Sequence, residues 1–290
     1  MKVLCFGSLN IDYVYQVPHF VRPGETLSAR SFAVHCGGKG LNQSVALARA
    51  GLPVAHAGKI GEDGRFLLER LQADGVDTRH VEVAPGVTGH AIIQVEPSGQ
   101  NCILLHGGNN LTVTEEGRTA VFQAFGPEDV LLIQNEVNDP AALIRCAKAR
   151  GMRVMMNPAP MDDTVAGLPL ERVDLLILNE IEGEALTGER QPEAMAARLK
   201  ERNPEGAVLI TLGARGACYY EGETALYQPA LAVEAVDTTA AGDTFTGYFT
   251  AGLLEGLGAA QALALAARAA ALCVTRPGAA DAIPHRHELI

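Results

Sequence analysis

The sequence predicts an α/β protein built around a mostly parallel sheet. Short, wholly apolar runs alternate with segments of helical periodicity, and each run is a candidate for a strand that is buried on both faces. Polar residues directly follow several of these runs. Two other segments alternate between apolar and polar residues, which is typical of antiparallel strands. At 290 residues, the chain can bury a substantial core, and we expect one domain over residues 1–290.

The composition argues against several classes of protein. The net charge is −11 with no basic stripe to offset it, which disfavours nucleic-acid binding. The six cysteines are irregularly spaced and include no C-x-x-C pair, as expected of reduced thiols. No apolar run reaches the roughly 18–20 residues of a membrane span, and the first residues lack a signal-peptide pattern. We therefore expect a cytoplasmic protein that binds neither nucleic acid nor a membrane.

The first predicted strand is the apolar run Val3–Gly7. It leads into a turn that carries Asn10 and Asp12, just past the carboxyl end of the strand. Ligands of open α/β sheets bind at that edge. The same two side chains could instead only make hydrogen bonds within the turn.

Two antiparallel segments are predicted at 13–36 and 89–106. The first has alternating Tyr13, Tyr15 and Val17 with Pro and Gly turns, and the second has a Pro-Ser-Gly turn between two apolar stretches. The two segments could join into a small sheet. Such a sheet would be a natural lid or a dimer face.

A glycine-rich turn precedes the helix predicted over 41–50. Gly37, Gly38 and Gly40 permit close backbone approach to a ligand and hinge motion. Lys39 and Asn42 lie near the helix start, where they could bond to sugar hydroxyls. The turn is not a Walker A loop, because the G-x-x-x-x-G-K-[ST] pattern is missing.

Strands and helices then alternate, with one helix predicted over 62–74, and three more apolar runs end in polar residues. The runs at 131–133, 175–178 and 208–210 lead into Gln134–Glu136, Asn179–Glu182 and Thr211–Gly216. Each polar group alone could be a cap or a turn. Right-handed crossovers in a parallel sheet would nevertheless bring all of these strand ends to one side.

The stretch Asp237–Gly247 predicts a loop that becomes a helix. Small residues lead into Gly242 and Asp243, and the helix runs to about residue 254. The first amides of a helix lack internal partners and can hold an anion. Asp243 is then either an ordinary capping residue or a base that takes a proton from a hydroxyl attacking a bound phosphate. A second, Ala-rich helix is predicted from about 259 to 275, followed by a loop at 276–279.

These pieces together make the sequence similar to the ribokinase family of ATP-dependent carbohydrate kinases over essentially the whole chain. The two specific markers are Gly37–Gln43 and Asp237–Phe245. The supporting pieces are Gly7–Asp12, Asn157–Pro160, Asn179–Glu182 and Thr211–Gly216. The resemblance implies a three-layer α/β/α sandwich with a small antiparallel β lid, built from about 13–36 and 89–106.

The resemblance also implies a reaction, namely phosphorylation of the 5-hydroxyl of D-ribose by Mg·ATP. Asp243 would be the base, and the backbone of Ala240, Ala241 and Gly242 would form an anion hole for the transferring phosphoryl group. The positions matching the family's sugar contacts are Asn10, Asp12, Gly38, Lys39, Asn42 and Glu136.

Cofactor positions follow from the same resemblance. Asn179 and Glu182 match a motif that orders Mg²⁺ through water, and Thr211, Leu212, Gly213, Ala214, Arg215 and Gly216 match the loop beneath ATP. Ala267 falls where a polar side chain often meets the nucleotide. The positions that match a site for K⁺ are Asp237, Thr239, Cys273, Arg276, Gly278 and Ala282. Ala282 departs from the family pattern, which often has a hydroxyl residue there.

Other functions remain open at this point. The same chemistry could act on deoxyribose, a ketohexose or a nucleoside, although a nucleoside would favour an aromatic platform and the lid segments offer mainly Tyr13, Tyr15 and Phe32. A sugar-binding sensor without catalysis is a further alternative, but Gly242 and Asp243 are both present. A homodimer that pairs through the lid is also expected.

Overall fold

A computed structural model of the protein describes residues 1–289. Those residues form thirteen strands and eight α-helices, joined by turns and short 3₁₀ segments. The strands are β1 (Val3–Phe6), β2 (Asn10–Gln16), β3 (Ser31–Gly37), β4 (Val54–Ile60), β5 (Asp77–Val83), β6 (Gly89–Val95), β7 (Asn101–His106), β8 (Val130–Gln134), β9 (Arg153–Asn157), β10 (Leu175–Asn179), β11 (Ala207–Thr211), β12 (Ala217–Glu221) and β13 (Thr224–Gln228). The helices are α1 (Lys39–Arg49), α2 (Arg65–Ala73), α3 (Glu115–Phe122), α4 (Pro140–Ala149), α5 (Glu180–Thr187), α6 (Pro192–Arg202), α7 (Ala241–Leu254) and α8 (Ala259–Val274).

The large sheet has nine strands in the order β13-β12-β11-β10-β9-β8-β1-β4-β5. The seven strands from β11 to β5 pair in parallel, and β12 and β13 add an antiparallel edge. This confirms the predicted α/β class. Because the parallel strands share one direction, their carboxyl ends lie along one edge of the sheet.

Two hydrophobic cores cover the two faces of this sheet. Alternate residues of a strand point to opposite faces, so Leu132 joins one core while Leu131 and Ile133 join the other. Helices α1, α2, α7 and α8 pack on the first face, and α3, α4 and α6 pack on the second. The result is the expected three-layer sandwich. Within residues 1–289, no helix combines the length and apolar character needed to cross a membrane.

The second sheet has four strands in the order β3-β2-β6-β7. Two antiparallel pairs, β2 with β3 and β6 with β7, meet through a parallel pairing of β2 with β6. The two segments predicted as antiparallel pieces therefore do join, but their junction is parallel. The first hairpin begins close to the large sheet, since β2 follows β1 after three residues.

Helices α1 and α7 approach each other unusually closely. A Cβ atom added to Gly247 of α7 would lie 2.4 Å from the Cβ of Ala46 and 3.0 Å from its carbonyl carbon on α1. Real Cβ atoms do not pack at such distances, so this contact requires glycine. Because of the close packing, the first turns of the two helices lie side by side.

Several elements differ from the sequence prediction. Helix α7 begins at Ala241 rather than Gly242, and the helix predicted over 62–74 divides into a 3₁₀ turn at Glu62–Gly64 and α2. The sequence pattern does not predict strands β5, β12 and β13. In β5, the charged and polar residues of an edge strand hide the apolar signal of the buried strands.

Replacing Gly247 by Ala tests the close packing of α1 against α7. We expect the free energy of unfolding to fall by about 1–3 kcal/mol, because the added methyl must push the two helices apart. Gly117→Ala in α3 is the matched control, since its new Cβ would meet only the Thr114 hydroxyl at 3.3 Å and the Glu82 carboxylate at 4.0 Å. Denaturant unfolding should show the control unchanged or slightly stabilised. Equal effects at the two sites would contradict the interpretation.

Candidate active site

A cavity of about 240 Å³ lies at the carboxyl edge of the large sheet. Its walls come from the start of α1, the ends of β9, β10 and β11, and the start of α7. The lining residues that the sequence analysis also identified are Lys39, Asn179, Glu182, Thr211, Ala240, Ala241, Gly242 and Asp243. The fold therefore brings residues from four separate motifs to one place.

The start of α7 presents its backbone to this cavity. Ala240 precedes the helix in a left-handed conformation, with φ 59° and ψ 8°, which is strained for a residue with a side chain. The amide of Ala241 donates to the Thr238 carbonyl at 3.3 Å, whereas Gly242 and Asp243 lie in the first turn, where the helix supplies no acceptor. A Cβ on Gly242 would meet no atom within 4 Å. This turn is thus open to an anion.

Asp243 is held by side chains of α1 and not by its own helix. Asn42 Nδ2 donates to Oδ2 of Asp243 at 3.1 Å, and Gln43 Nε2 donates to Oδ1 at 2.9 Å. The carboxylate is largely buried, with 9% of the residue exposed. The N-cap position of α7 is Ala240, and no side chain caps the helix there. The geometry does not support the capping role of Asp243 that the sequence left open.

Lys39 is the cation that faces the cavity's carboxylates. Burial works against its charge, but the carboxylates of Asp243, Glu136 and Glu182 outweigh this and raise the pKa of the ammonium group. Lys39 therefore stays protonated at neutral pH. Burial raises the pKa of Glu182 and of Glu136, although the charge of Lys39 acts in the opposite direction on both.

Asn179 and Glu182 form a capping box at the start of α5. The amide of Glu182 donates to Asn179 Oδ1, and the amide of Asn179 donates to Glu182 Oε2, both at 2.9 Å. Asn179 Nδ2 also donates to Glu182 Oε1 at 2.9 Å. These bonds fix the carboxylate at the cavity wall, and each oxygen keeps a further lone pair for a water molecule or a cation.

A polar cluster lies where β1 passes into β2. Ser8 Oγ and the amide of Lys39 both donate to Glu136 Oε2, the latter at 3.0 Å. Asp12 stands opposite His35 and Ala91 in the small sheet. A Cβ on Gly37 would clash with the Asp12 carboxylate, so glycine is what leaves room for this side chain. Burial, with a smaller contribution from the charge of Glu136, raises the pKa of Asp12 to about 7.

Asn10 and Gly38 belong to the same corner. Asn10 is buried, and its Oδ1 accepts a hydrogen bond from Asn110 Nδ2 at 2.7 Å. Gly38 precedes α1 with φ 94°, and its ideal Cβ position lies 2.9 Å from the Asn10 amide nitrogen. The backbone conformation and the close contact both favour glycine at this position.

The loop 211–216 follows β11 and is tied to neighbouring elements. Thr211 Oγ1 donates to the Leu178 carbonyl at 3.3 Å, and Arg215 pairs with Glu180 at the first position of α5. Leu212, Ala214 and Arg215 also line a separate depression of about 420 Å³ beside Tyr227. Only Thr211 of this loop reaches the cavity wall itself.

Asp237 joins the two loops that the resemblance assigns to a monovalent cation. Its Oδ1 accepts hydrogen bonds from the amide and hydroxyl of Thr239 at 2.9 and 2.6 Å, and its Oδ2 accepts from the Gly278 amide at 3.0 Å. Cys273 is fully buried in α8, with Sγ 3.9 Å from the Thr239 carbonyl oxygen. Ala267 and Ala282 are also buried, and Arg276 pairs with Glu288.

Three polar residues reach the site without a role in the sequence analysis. Gln43 contacts Asp243 directly, and Asn157 lines the cavity. Asn110 pairs with both the amide and the carbonyl of Leu9, at 3.0 and 3.3 Å, and so fixes the turn that carries Asn10. Gln43 and Asn157 lie inside quoted motifs. Asn110 had only a weak signal, a pair of asparagines after a pair of glycines.

Comparisons with known proteins find carbohydrate kinases that are similar to this chain over nearly its whole length. The family model described as pfkB family carbohydrate kinase matches residues 1–286. Ribokinase of Haemophilus influenzae is 37% identical over 293 residues, covering 98% of this chain and 95% of the relative. Deoxyribokinase of Salmonella typhi is 30% identical, with 98% and 96% covered. The structure of Arabidopsis thaliana ribokinase complexed with ribose and ATP superposes with a TM-score of 0.88 at 31% identity, covering 99% of this chain and 97% of that one.

The raised pKa of Asp12 predicts how stability changes with pH. The folded protein holds this proton up to about pH 7, whereas the unfolded chain releases it near pH 4, so the parent loses stability as the pH rises between these values. Asp12→Asn removes this loss. The free energy of unfolding of the variant, relative to that of the parent, should therefore rise by about 2 kcal/mol between pH 5 and pH 8. This value is already reduced for partial solvation of the side chain.

Chemical denaturation at both pH values measures this gain. Asp162→Asn is the control, because hydrogen bonds from Thr164 and Asn135 hold the pKa of Asp162 below its usual range. Asp162 stays ionised in both states over this range, so the control's difference from the parent should not change between pH 5 and pH 8. A constant difference for Asp12→Asn as well would refute the raised pKa.

Proposed function

Because the chain belongs to the pfkB family of carbohydrate kinases, we propose that it transfers the γ-phosphoryl group of ATP to the 5-hydroxyl of D-ribose, giving D-ribose 5-phosphate and ADP. The observation that carries this proposal is Asp243, a buried carboxylate at an open helix start, oriented by two amides of α1. The ribokinases among the relatives, one of them solved with ribose and ATP, support ribose as the sugar.

Asp243 is the proposed base. The 5-hydroxyl oxygen attacks the γ-phosphorus, the bond from that phosphorus to the β,γ-bridging oxygen breaks, and ADP leaves with the electron pair. The hydroxyl proton passes to the Asp243 carboxylate. A carboxylate beside an anion site repels the nucleotide, and a role as the base would explain why this unfavourable charge is present. Burial between α1 and α7 keeps bulk water from the carboxylate.

The first turn of α7 is the proposed anion hole. Residues Ala240 to Asp243 line the cavity. The left-handed conformation of Ala240 turns the chain so that the amides that follow face the cavity. Donors fixed before the reaction stabilise the charge that develops on the transferring group. Lys39 supplies the only lysine or arginine charge among the residues that line this cavity in the described part of the chain.

The Asn179–Glu182 pair fits a Mg²⁺ site. The donor set is a carboxylate and a carboxamide on one face of a helix start, which suits a hard cation that keeps part of its water shell. When bound with ATP, Mg²⁺ neutralises the charge of the β- and γ-phosphate oxygens. Glu182 remains in place without the ion because the capping box holds it.

The loops joined by Asp237 fit a site for K⁺. A monovalent cation prefers oxygen donors, and Asp237 supplies a carboxylate between these loops. The further proposed donors are the backbone carbonyl groups of positions 237, 239, 273, 276, 278 and 282, of which position 273 lies at the end of α8. Ala282 can contribute only through its backbone. We propose that K⁺ shapes the loop before Ala240 and thereby the anion hole.

The proposed sugar contacts are Asn10, Asp12, Gly38, Lys39, Asn42 and Glu136. Asn42 Oδ1 is a buried acceptor without a partner in the described chain, which a sugar hydroxyl would supply. We propose that the nucleotide binds at the loop 211–216 and near Ala267. Since Ala267 is buried and apolar, any contact with the base there is one of packing.

The small sheet favours a small polyol over a nucleoside. Tyr13 and Tyr15 pack against Phe32, with ring centroids 6.1 and 4.8 Å apart. These three rings lie on the face opposite Asp12, because neighbouring residues of a strand point to opposite sides. The aromatic cluster is thus unsuited to stack on a base held beside Asp12.

Deoxyribose is the second candidate substrate, because a deoxyribokinase is among the relatives of similar identity. A ketohexose and a nucleoside complete the alternatives. A sensor without catalysis would not need the oriented carboxylate of Asp243. We also propose a cytoplasmic location, since the reaction consumes ATP and the six cysteines are all free.

Asp243→Asn is expected to lower kcat by several orders of magnitude while ribose still binds, because the amide cannot accept the proton.

A coupled assay of ADP release with ribose, deoxyribose, fructose, ribulose and adenosine, with and without K⁺, identifies the substrate and the cation requirement. Calorimetry checks ribose binding. Near-normal turnover of the variant would remove Asp243 as the base, and adenosine as the best substrate would overturn the sugar assignment.

We further propose a homodimer that pairs through the small sheet, the β lid. One face of this sheet carries an apolar patch made of Phe32, Val34, Ile92 and Leu104. These residues are 53%, 45%, 37% and 68% exposed, respectively. Such a patch is unusual on a monomer. Leu104→Glu should shift the protein from dimer to monomer in sedimentation velocity, whereas Leu231→Glu, in an exposed loop, should not. A parent protein that sediments as a monomer at micromolar concentration would count against the dimer alone.

A further inference from the structure

Gln43 is a fully buried carboxamide that uses all of its principal hydrogen-bonding capacity. Its Nε2 donates to Asp243 Oδ1 at 2.9 Å and to Asn157 Oδ1 at 3.2 Å. Its Oε1 accepts a hydrogen bond from Gln134 Nε2 at 2.6 Å. A glutamine with two acceptors on one side and a donor on the other has only one satisfactory orientation.

The partners of Gln43 are themselves fixed. Asn157 Nδ2 donates to the Ile177 carbonyl at 3.0 Å, so its Oδ1 must face Gln43. Gln134 is fully buried, with Nε2 also 3.6 Å from Cys5 Sγ. A Cβ on Gly7 would clash with Gln134 Oε1, which shows how tightly this side chain is enclosed. A chain of carboxamides therefore runs from the interior of the sheet to Asp243.

The two oxygens of Asp243 have different surroundings. Oδ1 is bound to Gln43, whose remaining hydrogen bonds all go to protein side chains, namely Asn157 and Gln134. Oδ2 is bound to Asn42, whose own Oδ1 is a buried acceptor without a partner in the described chain. The interior thus holds Oδ1, while Oδ2 lies on the side where an unmet polar atom indicates the substrate.

We propose that Gln43 is the positioning residue of Asp243, holding Oδ1 so that Oδ2 takes the proton of the sugar hydroxyl. This inference rests on the proposed kinase function. The carboxamide of Gln43 is taken up by bonds to Asp243, Asn157 and Gln134, so its removal should leave sugar and nucleotide binding largely intact. Rotation of the freed carboxylate would lower the fraction of molecules in the reactive geometry, and a misplacement of about 1 Å can cost about 100-fold in rate.

Gln43→Met tests the proposal, because methionine has a similar shape and no amide. We expect kcat to fall about 10- to 100-fold, while KM for ribose and ATP changes less than about threefold. Gln72→Met is the matched control, since Gln72 lies on the exposed side of α2 and bonds only to Thr78 Oγ1 at 2.9 Å. Its kcat should equal that of the parent. Ribose calorimetry confirms that Gln43→Met is folded, and a folded variant with parental kcat would overturn the proposal.

A double-mutant cycle with Asp243→Asn separates positioning from a general structural role. If Gln43 acts through Asp243, Gln43→Met should change the residual kcat of Asp243→Asn less than about twofold. The same factor of loss in both backgrounds would mean that Gln43 supports the site in another way, and would refute the proposal. Absence of ribose phosphorylation by the parent would instead refute the proposed function, which keeps the two failures distinct.

Gln43→Glu gives an independent measurement should the Met variant not fold. The introduced carboxyl group and that of Asp243 would face each other and share one proton, so the acid limb of the pH profile of kcat should move to higher pH. A substitution that merely loosened the core would lower kcat at every pH by one factor. An acid limb at the parental position in an active, folded Gln43→Glu variant would contradict the assigned contact.

Discussion

The close contact between α1 and α7 is the constraint on which the site depends. Ala46 and Gly247 let the two helix axes approach as closely as backbone atoms permit, about one turn beyond Gln43 and Asp243 respectively. Carboxamides from one helix therefore reach the carboxylate of the other at 2.9 and 3.1 Å. The glycine-rich turn before α1 and the left-handed residue before α7 bring two further loops to the same point. The proposed base and the proposed anion hole thus depend on one helix contact in the core.

The electrostatics of the site follow from burial rather than from net charge. The whole chain carries a formal charge of −11, so its overall field does not attract a nucleotide. The local donors proposed for this task are the first amides of α7 and the ammonium group of Lys39, which line the cavity. Asp243, Glu136 and Glu182 keep that ammonium group charged, and Lys39 in turn opposes the effect of burial on Glu136 and Glu182. Each charge therefore lowers the cost of burying its neighbour.

The sequence predicted the parts of the molecule that depend on local pattern. Apolar runs indicated β1, β8, β10 and β11, and the polar residues behind them indicated the edge at which the cavity lies. Strand β5 was missed because an edge strand with charged residues lacks that pattern. The contact of Gln43 with Asp243 spans 200 residues of sequence, and that of Asn110 with Asn10 spans 100. Such contacts are set by tertiary packing, so a single sequence does not reveal them.

Several unfavourable features of the fold lie where the chemistry is proposed. Ala240 adopts a backbone conformation that costs about 1–2 kcal/mol for a residue with a side chain, and it lies at the start of α7. Asn42 Oδ1 and Gln134 Oε1 are buried acceptors without partners in the described chain, one beside Asp243 and one in the carboxamide chain behind it. A core selected for stability alone would use apolar side chains at these positions. Two helices and a sheet packed around them hold these groups in place, and Asn42 Oδ1 is the one that we propose a substrate hydroxyl satisfies. The strain and the unmet acceptor are therefore best explained as the cost of a site that is already arranged before its ligands bind.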